Sequence, residues 1–104
     1  MLLNKLYTVV EKSHEKIVLQ LSDERHPIFQ AHFPKHPILP GFILIDMMAE
    51  ILNDNVIYIR QSKFIGELLP NDTLSCEVLS KGKNRNIKVF KNQQKVSHIS
   101  YESK

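Results

Sequence analysis

The sequence lacks a second cysteine, a long apolar run and any repeat or low-complexity tract. Its single cysteine, Cys76, excludes an internal disulfide and is typical of a protein from a reducing compartment. No apolar run approaches transmembrane length, and residues 1–12 are too few and too charged for a secretory signal. We therefore expect a cytoplasmic protein without membrane insertion, folded as a single domain over residues 1–104.

The net charge of the chain is small and excludes few classes of binding partner. Fourteen lysines and arginines against 11 aspartates and glutamates give a formal net charge of +3, and 42% of the residues are hydrophobic. This composition describes an ordinary globular chain that can bind an acidic partner. The basic residues have no accompanying aromatic series, so we predict no binding of nucleic acid.

Four of the five prolines lie between residues 26 and 40, directly before a strongly apolar stretch. Because proline fixes φ and biases the preceding residue toward an extended conformation, residues 26–39 are predicted to be non-helical. Pro40 suits the start of a helix, where no N–H is needed. Residues 41–52 are apolar except for Asp46 and Glu50, which predicts a long buried helix. A carboxyl group buried there would be costly unless it were paired or neutral.

The remaining segments alternate in the manner of strands. Residues 6–11 and 16–21 predict a hairpin, and residues 86–91 and 95–101 predict another around Asn92 and Gln93. Residues 56–64 indicate a central strand that becomes half exposed, and residues 73–81 alternate cleanly. The predicted fold class is α+β, an antiparallel sheet with one long helix inserted after the first hairpin.

The proline-rich segment and the following helix resemble the signature of the bacterial 3-hydroxyacyl-ACP dehydratases of the FabA/FabZ type. The matching residues are His32-Phe33-Pro34, Pro37-Ile38-Leu39-Pro40-Gly41 and Asp46, with weaker matches at His26-Pro27-Ile28-Phe29, Lys63-Phe64 and Pro70-Asn71-Asp72. In that family an HFPxxPxxPG segment leads into the central helix, and an acid follows five residues after the glycine. A multi-proline motif of this length is far more specific than a lone triplet.

The resemblance implies a hotdog fold, in which an antiparallel sheet wraps around one long central helix. It also implies a homodimer with shared active sites, higher oligomers being left open, and a 3-hydroxyacyl chain carried by acyl carrier protein (ACP) as the substrate. The implied catalytic pair is His32 of one subunit and Asp46 of the other. The N–H of Gly41 would bind the thioester carbonyl, and Phe33, Pro40 and Glu50 are predicted to line the substrate site.

These groups fit the dehydration of a 3-hydroxyacyl thioester to a trans-2-enoyl thioester, in fatty-acid or related lipid synthesis. A helix N-terminal N–H can stabilise the developing enolate oxygen, and a neutral histidine can take the α-proton. Asp46 would act as the acid or orient the leaving hydroxyl, and its burial would help to retain a proton. We predict no cofactor and no metal, because the loop carrying His26, His32 and His36 spreads these side chains apart.

Two alternatives remain open at this point. One is a hotdog acyl thioesterase, in which a carboxylate activates water. The other is a non-catalytic subunit that binds acyl-ACP, since Ala31 replaces a common glycine and Glu50 a common glutamine of the family. The basic residues that could contact an acidic carrier protein are Lys35, Arg60, Lys81, Lys83, Arg85, Lys88, Lys91 and Lys95.

Overall fold

Six strands and two helices follow one another along the chain in the computed structural model, which describes residues 3–31 and 35–104. The strands are β1 (Tyr7–Lys12), β2 (Lys16–Leu21), β3 (Val56–Phe64), β4 (Thr73–Lys81), β5 (Asn84–Lys91) and β6 (Gln94–Ser103). The helices are α1 (Pro27–Ala31) and α2 (Gly41–Leu52).

The strands form one sheet in the order β1-β2-β4-β5-β6-β3, in which each neighbouring pair is antiparallel. One face of the sheet packs on α2, and the two share a core. The core side chains from α2 are Ile43, Leu44, Ile45, Met47 and Met48, and those from the strands include Ile17, Leu19, Leu74, Cys76, Ile87, Val89, Ile99 and Tyr101. Burial of these side chains supplies the main stabilising term of the fold.

The two predicted hairpins and the predicted fold class are confirmed. β1 pairs with β2, and β5 pairs with β6 through a turn at Asn92 and Gln93, both of which adopt positive φ. Two successive positive φ angles are typical of the tight turns whose twist matches that of a hairpin. In β4 the predicted alternation is present. The buried side chains are Leu74, Cys76 and Val78, and Thr73 and Glu77 on the other face are exposed.

The prediction that residues 26–39 contain no helix is wrong at its start, because Pro27–Ala31 forms α1. Proline is tolerated in the first turn of a helix, and Pro27 stands at the first position here. The apolar side chains Ile28 and Phe29 are buried, so packing against the core stabilises this short helix despite the surrounding prolines.

The prediction that residues 56–64 form a central strand is also wrong, because β3 is an edge strand paired only with β6. Its apolar side chains are exposed, with Ile57 at 56% and Tyr58 at 59%. A β-rich, apolar sequence is typical of a strand covered on both sides. Within residues 3–31 and 35–104, no strand pairs with the other edge of β3.

The helix α2 is short rather than long, with 12 residues from Gly41 to Leu52. It is buried on one side only, since Phe42, Asp46 and Glu50 are exposed. Among the described residues, no helix has the length and apolar character needed to cross a membrane.

Candidate functional site

The loop that carries the predicted base lies partly outside the described residues. His32, Phe33 and Pro34 are in this gap, so their predicted roles stay predictions. The chain is described up to Ala31 at the end of α1 and again from Lys35 onward.

The segment from Lys35 to Pro40 is held against the loop that joins β3 to β4. The N–H of Leu39 donates to the carbonyl oxygen of Leu68 at 2.7 Å, and Leu39 is buried. His36 Nε2 lies 3.0 Å from Glu67 Oε2. Backbone and side-chain contacts therefore fix the path of the chain into α2.

The first turn of α2 is open at its N-terminus. Pro40 occupies the cap position with φ −59° and ψ 133°, and no side chain of the described residues caps the helix there. The N–H of Gly41 and the helix dipole together make this end a hydrogen-bond donor for a developing negative charge. The predicted site residues Pro40 and Gly41 lie at this end, consistent with a role in binding a carbonyl oxygen.

Gly41 is required at the start of α2 because the Phe64 ring of β3 lies directly against it. A Cβ atom at position 41 would stand 2.5 Å from the Phe64 Cγ atom, well inside van der Waals contact. The glycine thus allows β3 and the start of α2 to approach closely. Any larger residue would have to displace the Phe64 ring.

Phe42, Asp46 and Glu50 form one exposed stripe along α2, spaced by four residues. We call this stripe the open face of α2. The sequence-based expectation that Asp46 is buried in the helix is wrong for the single chain, in which the side chain faces outward. The sequence does not reveal this exposure, because it shows that α2 is apolar but not which side of the helix the rest of the chain leaves uncovered. Cover for Asp46 would have to come from another subunit or from substrate.

Tyr7, which sequence reasoning did not single out, contacts this face. Its hydroxyl donates a hydrogen bond to Glu50 Oε1 and so joins the start of β1 to α2. Burial, followed by the hydrogen bond and the negative charge of Glu50, raises the pKa of Tyr7 above its ordinary value. The phenol therefore stays a neutral donor. No signal in the sequence marks Tyr7, since it stands in an ordinary strand pattern.

Leu3, Asn4 and Lys5 line a shallow cavity of about 470 Å³ beside Tyr7 and Glu50. The cavity leaves the Glu50 carboxyl group accessible from one side. The two loop histidines within the described residues have protein partners: His26 contacts the carbonyl oxygen of Asn4 and the N–H of Ile28, and His36 contacts Glu67.

Several of the predicted basic contacts are already engaged within the chain. Arg60 pairs with Glu102, Arg85 with Asp54, and Lys91 with Asp72. Within residues 3–31 and 35–104, no group of three metal-ligating side chains is gathered in one place.

The C-terminal end of α2 is closed by a buried polar cluster. Asn53 caps the helix in the left-handed conformation, with φ 56°. The Asp54 carboxylate accepts hydrogen bonds from Nε and Nη2 of Arg85 and from the Tyr101 hydroxyl, at 2.6 to 3.0 Å. The Asp54 side chain is 4% exposed, so this cluster has a structural role.

Comparison with known proteins shows the family of this chain. A family model described as ApeI-like (ApeI dehydratase) matches residues 9–102. A 3-hydroxyacyl-[acyl-carrier-protein] dehydratase FabZ of Geobacter metallireducens is 35% identical, over 62% of this chain and 53% of that protein. The chain thus spans about half the length of this curated relative.

Two solved structures share the fold. The dehydratase heterocomplex ApeI:P from Xenorhabdus doucetiae aligns with a TM-score of 0.74 at 21% identity, over 91% of this chain and 92% of that one. Thioesterase superfamily member 2 from Mus musculus aligns with a TM-score of 0.66 at 13% identity, over 97% of this chain and 82% of that one. At these identities the likeness concerns the fold alone, and it confirms the predicted hotdog architecture.

Proposed function

The chain belongs to the ApeI-like dehydratase family, and from this premise we propose that it removes water from a 3-hydroxyacyl thioester. The product would be the trans-2-enoyl thioester, and the acyl chain would be carried by ACP. The observation that carries the proposal is the open face of α2, where Asp46 lies five residues after Gly41 at an uncapped helix start. The relative from Geobacter metallireducens, a FabZ dehydratase by name, supports the same substrate class.

Each proposed group has a defined task. The N–H of Gly41, strengthened by the helix dipole, would bind the thioester carbonyl oxygen and stabilise the enolate-like transition state. His32 would take the α-proton as general base. The electron pair released at the α-carbon forms the double bond, and the bond from the β-carbon to the hydroxyl breaks. Asp46 would protonate the departing oxygen, which leaves as water.

A second copy of the chain would complete the site. Asp46 is exposed in the single chain, and β3 presents an unpaired edge with exposed apolar side chains. An edge of this kind readily pairs with another strand, and an apolar patch beside it favours burial. The residues concerned are Ile57, Tyr58, Ile59, Phe64 and Ile65. We therefore infer a homodimer in which His32 of one copy faces Asp46 of the other, with Phe33, Pro40 and Glu50 near the acyl group.

The carrier protein would approach over basic side chains. Of the eight lysines and arginines predicted from the sequence, Lys35, Lys81, Lys83, Lys88 and Lys95 are exposed. Their charge favours an acidic protein and would make the rate depend on ionic strength. A cytoplasmic location, the single domain and assembly beyond a dimer stay predictions from the sequence.

The direct test is incubation of the chain with 3-hydroxyacyl-ACP of several chain lengths, followed by mass spectrometry of the carrier. Loss of one water from the acyl group is the expected result. Release of free ACP thiol would instead indicate a thioesterase. The mouse thioesterase superfamily member has the same fold, so the fold alone does not distinguish the two activities. A folded chain that binds acyl-ACP but neither removes water from it nor releases free thiol would contradict the enzymatic proposal.

Mixing two inactive variants tests the shared site. His32→Ala and Asp46→Asn should each be inactive alone. When the two are unfolded together and refolded, half of the dimers are mixed, and each mixed dimer regains one intact site. We therefore expect about a quarter of the native activity. Activity that does not return on mixing, with dimers present, would place His32 and Asp46 of a single copy in the same site.

A further inference from the structure

Two side-chain hydrogen bonds connect β1 to α2. The Tyr7 hydroxyl donates to Glu50 Oε1, and Lys12 Nζ donates to the carbonyl oxygen of Ile51 at 2.9 Å. The Lys12 contact uses backbone near the end of the helix. The Tyr7 contact instead fixes a carboxyl group on the open face, one helical turn from Asp46.

The direction of the Tyr7–Glu50 bond limits what Glu50 can do. A phenol that keeps its proton is the donor, so the Glu50 carboxylate is the acceptor. A glutamate side chain on a helix leans toward the helix N-terminus, which at position 50 is the direction of Asp46. A free glutamate at this exposed position would sample several rotamers. The Tyr7 bond restricts them.

We propose that Tyr7 is a positioning residue that holds the Glu50 carboxylate beside Asp46, where Glu50 accepts a hydrogen bond from the substrate 3-hydroxyl group. This inference rests on the proposed dehydration. The hydroxyl hydrogen would point at Glu50, and an oxygen lone pair would then face Asp46. When the bond to the β-carbon breaks, the oxygen keeps its own hydrogen and receives one proton from Asp46, so that neutral water leaves.

An ionised glutamate suits this task because it can only accept hydrogen bonds. An amide at the same place would present both donors and an acceptor, and its orientation toward the hydroxyl would be ambiguous. Tyr7 supplies the donor that fixes one carboxylate oxygen and leaves the second oxygen for the substrate. The cavity beside Leu3, Asn4 and Lys5 gives water access to the same carboxyl group.

The test is the steady-state kinetics of Tyr7→Phe with 3-hydroxyacyl-ACP. We expect kcat to fall about tenfold while KM changes less than about twofold, because the hydroxyl group orients the reacting centre and contacts no substrate. The same substitution in a Glu50→Ala background should cause no further loss of kcat, since Tyr7 acts through Glu50. Unchanged kcat in Tyr7→Phe, or an equal loss in both backgrounds, would overturn the inference.

Tyr101→Phe is the matched control, because it also removes a phenol hydrogen bond to a carboxylate. This variant should lose stability and keep the native kcat per folded molecule. A loss of kcat in both tyrosine variants would assign the Tyr7 effect to general loosening of the fold and overturn the inference.

A second readout is independent of turnover. Glu50→Ala should lower the pKa of Tyr7 toward its ordinary value, measured by the phenolate absorbance and assigned by subtraction with Tyr7→Phe. An unchanged Tyr7 titration would show that the hydrogen bond is not formed in solution. If the native chain does not release water at all, the proposed function fails and the inference fails with it. Native turnover with an unaffected Tyr7→Phe variant refutes the inference alone.

Discussion

The two ends of α2 differ in how they are capped and in how far their carboxyl groups are enclosed. At the C-terminal end, Asn53 caps the helix, and the Asp54 carboxylate is enclosed by Arg85 and Tyr101. At the N-terminal end no side chain of the described residues caps the helix, and Asp46, five residues after Gly41, is exposed. The contacts at the closed end stabilise the fold. The open end leaves the Gly41 N–H and the exposed Asp46 carboxyl group for the substrate, as binding and proton transfer require.

Asp54→Ala should produce the largest loss of stability, because it removes the acceptor of three hydrogen bonds and leaves the Arg85 guanidinium partly buried without its partner. Breaking a buried ion pair costs about 3–5 kcal/mol of unfolding free energy. Urea denaturation measures it. Asp46→Ala on the open face is the control and should lower stability by less than about 0.5 kcal/mol, because the Asp46 side chain is exposed in the single chain. Equal losses of stability in the two variants would contradict the claim that Asp54 has a structural role and Asp46 does not.

Tyr101→Phe should lower the free energy of unfolding by about 1.5–3 kcal/mol, since it removes one hydrogen bond to a charged acceptor. Burial, followed by the bond to Asp54, raises the pKa of Tyr101 above its ordinary value of 10.0. The folded chain therefore keeps a proton that the unfolded chain releases. The resulting stability is complete below about pH 10 and is lost as the pH rises further.

Urea denaturation at neutral and alkaline pH checks both parts of the Tyr101 prediction. The native chain should lose more stability between pH 9 and pH 11 than Tyr101→Phe does. Parallel losses in the two proteins would mean that the Tyr101 hydroxyl is not bonded to Asp54 in solution.

Gly41→Ala tests the close contact at the open end. The added methyl group would meet the Phe64 ring, so we expect a loss of about 1–3 kcal/mol in unfolding free energy. Phe64→Ala in the same chain should recover most of that loss, because it removes the obstructing ring. A Gly41→Ala protein as stable as the native one would show that β3 and α2 do not approach this closely.

Asn53→Val should give the smallest effect, about 1–2 kcal/mol, because a β-branched residue disfavours the left-handed conformation. Asn53→Gly is the matched variant and should leave stability within a few tenths of a kcal/mol of the native chain. Thermal unfolding compares the two. Equal melting temperatures for Asn53→Val and Asn53→Gly would mean that this cap does not close the helix.

The sequence predicts the sheet better than it predicts the site. The alternation in residues 73–81 and the hairpin around Asn92 and Gln93 follow from local patterns, and both are confirmed. The prediction that residues 26–39 are non-helical failed at α1, because burial of Ile28 and Phe29 outweighs the local effect of the prolines. Local patterns carry no information about such packing.

Exposure at the site depends on the assembly, which no pattern in one chain reveals. The sequence predicts a central strand for residues 56–64 and a buried helix for residues 41–52, yet Ile57 and Asp46 are exposed in the single chain. Each prediction failed on the side that we propose a second subunit covers. Tyr7 was missed for a related reason, since its contact with Glu50 joins residues 43 positions apart.

The most direct test of the account compares the Asp46 carboxyl group on the open face of α2 with the Asp54 carboxyl group at its closed end, in the same dehydration assay. The rate of water loss from 3-hydroxyacyl-ACP is measured for Asp46→Asn and Asp54→Asn at equal concentrations of folded protein. Asp46→Asn should be nearly inactive and as stable as the native chain, whereas Asp54→Asn should be less stable and turn over at the native rate. A fully active Asp46→Asn would contradict the claim that water is removed at the open face of α2.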